Sequence, residues 1–322
     1  MPAIPDFGRL RITVLGDIML DHYIFGDTHR ISPEAPVPVV EVARESYTAG
    51  GAANVALNLA SLGVQTTLCG ACGDDAAGHQ LRNVLAERNV NLDSAFLLPK
   101  LPTIIKTRII VQRQQLCRLD RELEPKHYDL NTPALVEKMD ACIRNSDAIL
   151  LSDYAKGVLT QELVDQINPA VKRKSALVGW DPKPKHSLRP PTIDFMTPNQ
   201  IEALQLAGLD NLHPQAQFPA DEVGRKIFER YHPRYLVVTL GPGGMLLYTA
   251  PTEHTHLPTA AREVFDVSGA GDTVVAVLAA ALASGMPLVE AGRLANAAAS
   301  VVVAKLGTAT VTRQELEKAI AQ

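Results

Sequence analysis

A turn that could bind an anion stands directly before an apolar helix near the end of the sequence. The run DVSGAGDT (residues 266–273) places Gly269, Ala270 and Gly271 ahead of Asp272, and VVAVLAAALA follows. Residues with little or no side chain let their N–H groups approach a ligand, and the first N–H groups of a helix lack partners inside it. With the positive end of the helix dipole, they suit phosphate charge that grows during transfer.

Asp272 lies at the edge of this turn, where a carboxylate can accept a proton from a hydroxyl nucleophile. The same pattern is also typical of a tight turn with an acidic residue that stabilises the helix start. The sequence contains neither G-x-x-x-x-G-K-[ST] nor G-x-G-x-x-G. The first absence excludes a Walker-type phosphate loop, and the second weakens a dinucleotide-binding interpretation.

The length suits one large α/β domain or two small ones, and the composition allows a substantial core. The chain has 322 residues, of which 46% are hydrophobic and 20% charged. A net charge of −4 and a pI of 6.1 argue against nucleic acid or an anionic membrane as the main partner. The longest apolar run, 274–283, is too short to span a bilayer, and no signal-peptide pattern opens the chain. We therefore expect a cytoplasmic protein.

The four cysteines include one C-x-x-C pair, Cys69 and Cys72, which could be a redox pair or half of a zinc site. A structural zinc would need a second close pair, which Cys117 and Cys142 do not form. We interpret the pair as small thiols buried at the end of a strand.

Short β-rich runs alternate with helical ones along most of the chain. The strand-like runs are RITVLGD, QTTLCGACG, SDAILLSDY, ALVGWD, DFMTPN and RYLVVTLG, and the helix-like runs include GGAANVALNLASLG and AAGHQLRNVLAERN. This alternation predicts a doubly wound, mainly parallel sheet with helices on both faces. Asp17, Asp153 and Asp181 end three of the strands. Because ligands bind beyond the carboxyl ends of such strands, these acids predict a polar site there.

Two segments, 22–48 and 92–121, break the alternation. The first contains ISPEAPVPVVEV, and the second contains the strand-like runs AFLLP, TIIKTRIIVQ and QLCRLD. We expect them to form a small, largely antiparallel sheet outside the main one. Since no linker or internal repeat interrupts the sequence, we expect a single domain over residues 1–322.

Four runs, GGAANVALNLASLG, TPNQIE, LGPGGM and DVSGAGDT, resemble in order and spacing the two signatures and the nucleotide site of the ribokinase (PfkB) sugar-kinase family. Further runs resemble the heptose-7-phosphate kinases of bacterial ADP-heptose synthesis: VLGDIMLDHY, RISPEAPVPVVEV, RQQLCRLD, LSDYAKG and NAAASVVVAKLGTATV. Together they cover nearly the whole chain.

The resemblance implies a ribokinase-like α/β fold with a β-sheet lid built from the two irregular segments. It also implies ATP-dependent phosphorylation of D-glycero-β-D-manno-heptose 7-phosphate at the C1 hydroxyl, a step towards ADP-heptose and the lipopolysaccharide inner core. Family members often carry a C-terminal nucleotidyltransferase domain with an H-x-G-H motif. This sequence contains no such motif, so the stand-alone kinase form is expected.

The resemblance also implies roles for individual residues. Asp272 would take the proton of the C1 hydroxyl, and Gly269, Ala270 and Gly271 would form the anion hole for the γ-phosphoryl group. Asn199 and Glu202 would bind Mg²⁺ through water, although an N-x-x-E at a helix start also suits a capping pair. The expected nucleotide-binding residues are Asn199, Glu202, Thr239, Gly241, Gly244 and Asn296. The implied cofactors are ATP, Mg²⁺ and a monovalent cation such as K⁺.

The expected sugar-binding residues come from several strand ends and from the first helix. They are Asp17, Asp21, Gly50, Gly51, Asn54, Asp153 and Lys183, with the glycines letting hydroxyls approach the backbone. Lys106 and Arg108 alternate along one lid strand and Arg118 lies on the next, so we expect them to bind the distal phosphate. The lid would exclude water, and a second subunit would cover its edges, which predicts a homodimer.

Three other functions remain compatible with the sequence. Another ribokinase-family sugar, sugar-phosphate or nucleoside kinase would differ only in its acceptor. A non-catalytic sugar or nucleotide sensor would share the fold, since fold does not fix function, but the intact Asp272 argues against it. A nicotinamide-dependent dehydrogenase is disfavoured by the missing glycine fingerprint.

Overall fold

The computed structural model describes residues 4–112, 114–185, 188–211, 218–261 and 264–321. Within them the strands are β1 (Arg11–Gly16), β2 (Ile18–Ile31), β3 (Pro38–Gly51), β4 (Gln65–Cys69), β5 (Cys72–Gly73), β6 (Asn91–Leu92), β7 (Leu97–Leu98), β8 (Ile105–Val111), β9 (Gln114–Arg121), β10 (Ala148–Ser152), β11 (Leu177–Asp181), β12 (Phe195–Met196), β13 (Tyr235–Thr239), β14 (Met245–Ala250) and β15 (Glu253–Leu257). The helices are α1 (Ala52–Ser61), α2 (Ala76–Ala86), α3 (Pro133–Arg144), α4 (Gln161–Lys174), α5 (Gln200–Ala207), α6 (Ala220–Tyr231), α7 (Ala270–Ala283), α8 (Leu288–Val302) and α9 (Arg313–Ile320).

A large sheet with the order β15-β14-β13-β12-β11-β10-β1-β4-β6 forms the centre of the molecule. Its strands are parallel from β6 to β13, and β14 and β15 continue it antiparallel at one edge. Gly16 pairs with Ser152, and Ser152 pairs with Asp181, so β1, β10 and β11 end level with one another. The strand-end acids therefore meet at one edge of the sheet, as the sequence predicts.

Helices flank this sheet in two groups. One consists of α1, α7, α8 and α9, which pack in succession, while in the other α3 packs on α4 and α5 on α6. Helix α7 is buried from Asp272 to Ala281 because its alanines and valines allow neighbouring helices to approach closely. None of the helices in the described part of the chain is long and apolar enough to cross a membrane.

A separate sheet with the order β3-β2-β8-β9 forms the lid. The pairings β2–β3 and β8–β9 are antiparallel, whereas β2–β8 is parallel, so the lid is a mixed sheet. The β2–β3 hairpin extends from residue 18 to residue 51, and its buried base joins the lid to the main sheet. The run AFLLP was expected in the lid, but this prediction is wrong. Its Leu97 and Leu98 form β7, which pairs with β5.

The C-x-x-C motif lies in the core. Cys69 and Cys72 are both buried and unpaired, one at the end of β4 and the other in β5. This agrees with the interpretation of the motif as buried strand-end thiols.

Candidate active site

The start of α7 is shaped by Gly269, which adopts a left-handed conformation with φ 78°. A Cβ atom at this position would lie 2.6 Å from Nδ2 of Asn54. Glycine is therefore required both for the backbone conformation and for the close approach of α1. The turn brings the side chain of Asn54 up to the first turn of α7.

Asp272 is buried in that first turn, with 4% of its surface exposed. Asn54 donates from Nδ2 to Oδ2 at 2.7 Å, and Tyr154 donates from its hydroxyl to Oδ1 at 2.5 Å. Burial, with the charge of Asp21, raises the pKa of Asp272 to about 6, although the two hydrogen bonds and the charge of Lys106 lower it. Such a carboxylate is mostly ionised at pH 7 and can accept a proton.

The backbone at the helix start differs in detail from the predicted anion hole. Ala270 donates its N–H to the carbonyl of Val267 at 3.2 Å. Within the described residues, the N–H groups of Gly271 and Asp272 find no protein acceptor. The backbone N–H groups of Gly271 and Asp272 are therefore available to an anion at this end of α7. The N–H of Ala270 is not, because it donates to Val267.

Asn54 belongs to a hydrogen-bonded chain between α1 and α7. Asn58 donates to the backbone carbonyl of Asn54 at 3.0 Å and to its Oδ1 at 3.4 Å, and Thr273 donates to Oδ1 of Asn58 at 3.0 Å. The amide nitrogen of Asn54, predicted to bind sugar, is therefore directed at Asp272. In this structure Asn54 supports the carboxylate.

The loop after β10 is organised by Asp17, whose side chain is fully buried. Its carboxylate accepts from the N–H groups of Tyr154 at 2.9 Å, Lys156 at 3.0 Å and Val158 at 3.0 Å. Burial raises the pKa of Asp17, and the three backbone donors oppose this effect. Asp17 is one of the expected sugar-binding residues, and in this structure its buried carboxylate holds the loop after β10.

Asp153 begins the same loop. It accepts from the N–H of Ala155 at 2.8 Å and from the N–H of Lys183 at 3.4 Å. Burial raises its pKa to about 7, and the nearby charge of Asp17 adds to the effect. The carboxylate thus ties the loop to the chain segment after β11.

Asp21 lies on the lid side of Asp272. Its Oδ1 accepts from Arg108 at 2.5 Å, and a Cβ on Gly50 would lie 2.6 Å from its Oδ2. A Cβ on Gly51, which has φ 58°, would lie 2.5 Å from the carbonyl oxygen of Asp17. The two glycines therefore make room for Asp21 and for the backbone, rather than only for sugar hydroxyls as predicted.

The three basic residues expected to bind phosphate have different partners. Arg108 is paired with Asp21, while Arg118 makes two hydrogen bonds to Asp120, at 2.8 and 3.0 Å. Lys106 makes no ion pair within the described residues, and its ammonium group lies 5.9 Å from the centre of the Tyr154 ring. Burial and the nearby charge of Lys156 lower the pKa of Lys106.

Asn199 and Glu202 form a complete capping box at the start of α5. Each side chain accepts from the other residue's N–H at 3.0 Å. The second carboxylate oxygen of Glu202 accepts from Lys183 Nζ at 2.6 Å, so Lys183, predicted to bind sugar, lies with this group. No three His, Cys, Asp or Glu side chains of the described ranges converge on a metal position.

A cavity of about 230 Å³ opens beside the start of α7. Its lining includes four predicted nucleotide-binding residues and two from the glycine turn: Thr239, Gly241, Gly244, Asn296, Ala270 and Gly271. Gly244 has φ 86°, and a Cβ there would overlap the carbonyl of Leu257. The cavity thus reaches from the turn after β13, across α8, to the proposed anion-binding turn.

Sequence reasoning missed two polar residues at the centre of the site. Tyr154 lies in LSDYAKG, and no periodic signal directs its hydroxyl towards Asp272. Asp181 was noted as a strand-end acid without a role. It is partly buried and accepts from Thr197 Oγ1 at 2.8 Å, and desolvation and the charge of Glu202 raise its pKa well above the usual range.

Comparison with protein families gives a match over most of the chain. A model described as pfkB family carbohydrate kinase matches residues 9–315. The bifunctional protein HldE of Proteus mirabilis is 43% identical over 318 residues, which cover 99% of this chain and 65% of that protein. HldE of Vibrio cholerae is 42% identical over 319 residues, with the same shares covered. This chain thus spans 65% of the length of these relatives.

Solved structures share the fold at low sequence identity. The ribokinase of Arabidopsis thaliana, solved with ribose and ATP, superposes with a TM-score of 0.75 at 22% identity, covering 97% of this chain and 99% of that one. The ribokinase of Thermotoga maritima gives a TM-score of 0.72 at 23% identity, covering 97% and 100%. The predicted ribokinase-like fold class, with its small β-sheet lid, is confirmed.

Proposed function

The chain belongs to the pfkB family of carbohydrate kinases, and we propose that it phosphorylates D-glycero-β-D-manno-heptose 7-phosphate at the C1 hydroxyl. ATP would supply the γ-phosphoryl group, and the product would be the 1,7-bisphosphate, a step in ADP-heptose synthesis. The observation that carries the reaction type is Asp272, a buried carboxylate beside free N–H groups at a helix start. The motifs that resemble heptose-7-phosphate kinases, with the extent of identity to the HldE proteins, support the acceptor.

In the proposed reaction, Asp272 accepts the proton of the C1 hydroxyl. The C1 oxygen then forms a bond to the γ-phosphorus while the bond from that phosphorus to the ADP oxygen breaks. The N–H groups of Gly271 and Asp272 face the charge that spreads over the transferring group. The adenine and ribose would occupy the cavity lined by Gly244 and Asn296. Proton acceptor and anion site thus lie on one helical turn.

Mg²⁺ fits this site best when it is held by the ATP phosphates and by water. Glu202 and Asp181 supply carboxylate oxygens, which suit Mg²⁺, but both oxygens of Glu202 already have partners. We therefore assign Glu202 and Asn199 an indirect role, as predicted. When bound, the ion would neutralise charge between the β- and γ-phosphates. A monovalent cation such as K⁺ remains a prediction from the family resemblance.

We assign recognition of the acceptor's distal phosphate chiefly to Lys106. Its ammonium group is half-buried and makes no ion pair in the described part of the chain, whereas Arg108 is neutralised by Asp21 and Arg118 by Asp120. An unpaired, partly desolvated cation gains most from a phosphate dianion. The charges of Lys156 and Arg118 lower the pKa of Lys106, and those of Asp21 and Asp120 raise it, so two cations and two carboxylates surround the ammonium group.

This assignment predicts a selective loss in Lys106→Met, which keeps the length of the side chain but removes its charge. Measured at a pH well above 6, where Asp272 is ionised, the variant should lose about 10- to 100-fold in kcat/KM for the phosphorylated acceptor and much less for an unphosphorylated one. Lys126→Met removes an exposed lysine paired with Glu124 and serves as the control. An equal loss on both acceptors would place the phosphate elsewhere.

The remaining parts of the proposal concern assembly and location. We propose a homodimer formed through the lid, because β9 is exposed along its whole length at the edge of that sheet. We also place the protein in the cytoplasm, which supplies ATP and keeps thiols reduced, in keeping with its four free cysteines.

An ADP-release assay against a panel of sugars, sugar phosphates and nucleosides tests the function. The heptose 7-phosphate should be the preferred acceptor, and Asp272→Asn should lower kcat by about 10²- to 10⁴-fold while preserving ATP binding. Equal use of free sugars or a nucleoside would favour another kinase of the family. No ADP release with any acceptor would favour a sensor.

A further inference from the structure

Tyr154 places a hydroxyl donor on the carboxylate that the mechanism uses. Its O–H···Oδ1 contact with Asp272 is 2.5 Å long. Burial, with the charge of Asp272, raises the pKa of Tyr154 well above its ordinary value of 10. The hydroxyl therefore stays protonated across the working pH range and donates to the ionised carboxylate.

The loop that carries Tyr154 is held in place independently of Asp272. The backbone N–H of Tyr154 donates to Asp17 at 2.9 Å, and the next residue, Ala155, adopts a left-handed conformation with φ 55°. A Cβ on Gly157, at φ 111°, would overlap the backbone carbonyl of Pro125. These contacts fix the direction of the tyrosine side chain before any ligand binds.

Each carboxylate oxygen of Asp272 accepts one hydrogen bond, Oδ1 from Tyr154 and Oδ2 from Asn54. The two donors come from different parts of the chain, α1 and the loop after β10. A carboxylate held at both oxygens keeps one rotamer, so the lone pairs that remain point in a fixed direction. We propose that Tyr154 is a positioning residue that orients Asp272 and keeps it ionised for proton transfer.

The electrostatic part of this role follows from the balance of effects on Asp272. Burial raises the pKa of its carboxyl, and the hydrogen bond from Tyr154 is the largest of the effects that lower it. Without that donor the pKa should rise above its value of about 6. Much of Asp272 would then be protonated at neutral pH and could not act as a base.

The test is the pH profile of kcat/KM for Tyr154→Phe, which keeps the ring and removes the hydroxyl. The acid limb should move upward by about one to two pH units, with activity largely recovered at high pH. Tyr248→Phe is the matched control, because this buried tyrosine also donates one hydrogen bond, to the carbonyl of Ala220 at 3.1 Å. Its acid limb should stay in place.

A second variant keeps the donor and covers the case in which Tyr154→Phe does not fold. 3-Fluorotyrosine at position 154 is a stronger hydrogen-bond donor, so it should move the acid limb downward. If the variants at position 154 fold and the acid limb of kcat/KM does not move in them, the inference is overturned.

The inference about Tyr154 rests on the proposed function, because it takes Asp272 as the base. The variant Asp272→Asn distinguishes a failure of the proposed function from a failure of the inference. Full turnover in Asp272→Asn would overturn the base itself. Loss of turnover there, combined with an unmoved acid limb in the Tyr154 variants, would overturn only the role of Tyr154.

Discussion

A buried carboxylate can act as a base only if its surroundings offset the cost of burying its charge. Around Asp272 the offset comes from two hydrogen-bond donors and from Lys106, while Asp21 acts in the opposite direction. The net result is a pKa of about 6, above that of an exposed aspartate and below neutrality. The same residue therefore makes catalysis and folding depend on pH in opposite directions.

This gives a first prediction. Because the folded-state pKa of Asp272 lies above its ordinary value of 3.8, the native state binds more protons than the unfolded state between these values. The contribution of Asp272 to stability is therefore present at low pH and is lost as the pH rises through about 6. The acid limb of kcat/KM should rise over the same range, because the base must be ionised.

Urea unfolding of the wild type and of Asp272→Asn, measured from pH 4 to pH 8, checks the stability half of this prediction. The asparagine variant lacks the titrating group, so its stability relative to the wild type should increase by up to about 3 kcal/mol over that range. A difference that stays constant with pH would mean that Asp272 has an ordinary pKa.

Gly269 provides the second prediction. Gly269→Ala should strain a left-handed backbone and also push a Cβ against Nδ2 of Asn54, only 2.6 Å away. Displacement of Asn54 removes a donor from Asp272, so kcat should fall at least 10-fold in addition to a stability loss of about 1 kcal/mol or more.

Gly285, just beyond the other end of α7, is the matched control. It has φ 86°, and a Cβ there meets no atom within 4 Å. Gly285→Ala should show a comparable loss of stability, measured by urea unfolding, without the loss of kcat. If both variants lowered kcat equally, the conformation of Gly269 would have no specific role in catalysis.

At the scale of elements, the sequence predicts those features whose cause is local. The alternation of apolar runs predicts the parallel sheet, and the level ends of β1, β10 and β11 bring Asp17, Asp153 and Asp181 together. The capping pair at Asn199 and Glu202 is likewise a matter of spacing along one helix.

Features set by tertiary packing are not visible in the sequence. The hydroxyl of Tyr154 contacts a residue 118 positions away, and Lys183, an expected sugar-binding residue, pairs with Glu202. Membership of the lid is also ambiguous for short apolar runs. AFLLP has the pattern of a strand, but its residues in β7 pair with β5 in a separate two-stranded sheet.

The capping box of α5 carries the third prediction. Glu202 caps the helix and also pairs with Lys183. Glu202→Gln should raise the Mg²⁺ concentration needed for half-maximal rate by several-fold, with little effect on the apparent affinity for the sugar.

Helix α9 offers a matched control for this experiment. Its capping box is formed by Thr312 and Glu315, and Glu315 pairs with Lys305 as Glu202 does with Lys183. Glu315→Gln should remove the charge of the same kind of capping and ion-paired carboxylate and leave the Mg²⁺ dependence unchanged. If the Mg²⁺ dependence changed in neither Glu202→Gln nor Glu315→Gln, the prediction would be wrong and Glu202 would act only as a helix cap.

At the scale of the whole molecule, half of the large apolar side chains exposed in the described part of the chain lie on the lid. Large apolar residues there with about 40% or more of their surface exposed are Ile31, Val37, Val42, Tyr47, Leu116 and Leu119. The lid also ends in β9, an edge strand exposed at every residue. Apolar surface next to an open strand edge is typical of a protein–protein interface, and its burial would favour association of two lids.

The last prediction is that Leu119→Lys shifts the protein from dimer to monomer. Leu119 is 58% exposed, so the change costs little in the monomer but would place a charge in the apolar interface. Ile201→Lys is the control, because Ile201 is 69% exposed on α5, outside the lid. Light scattering coupled to size-exclusion chromatography should give about half the wild-type mass for Leu119→Lys and the wild-type mass for Ile201→Lys. A wild-type chain that elutes as a monomer would contradict the lid dimer, and a Leu119→Lys dimer would place the interface on another surface.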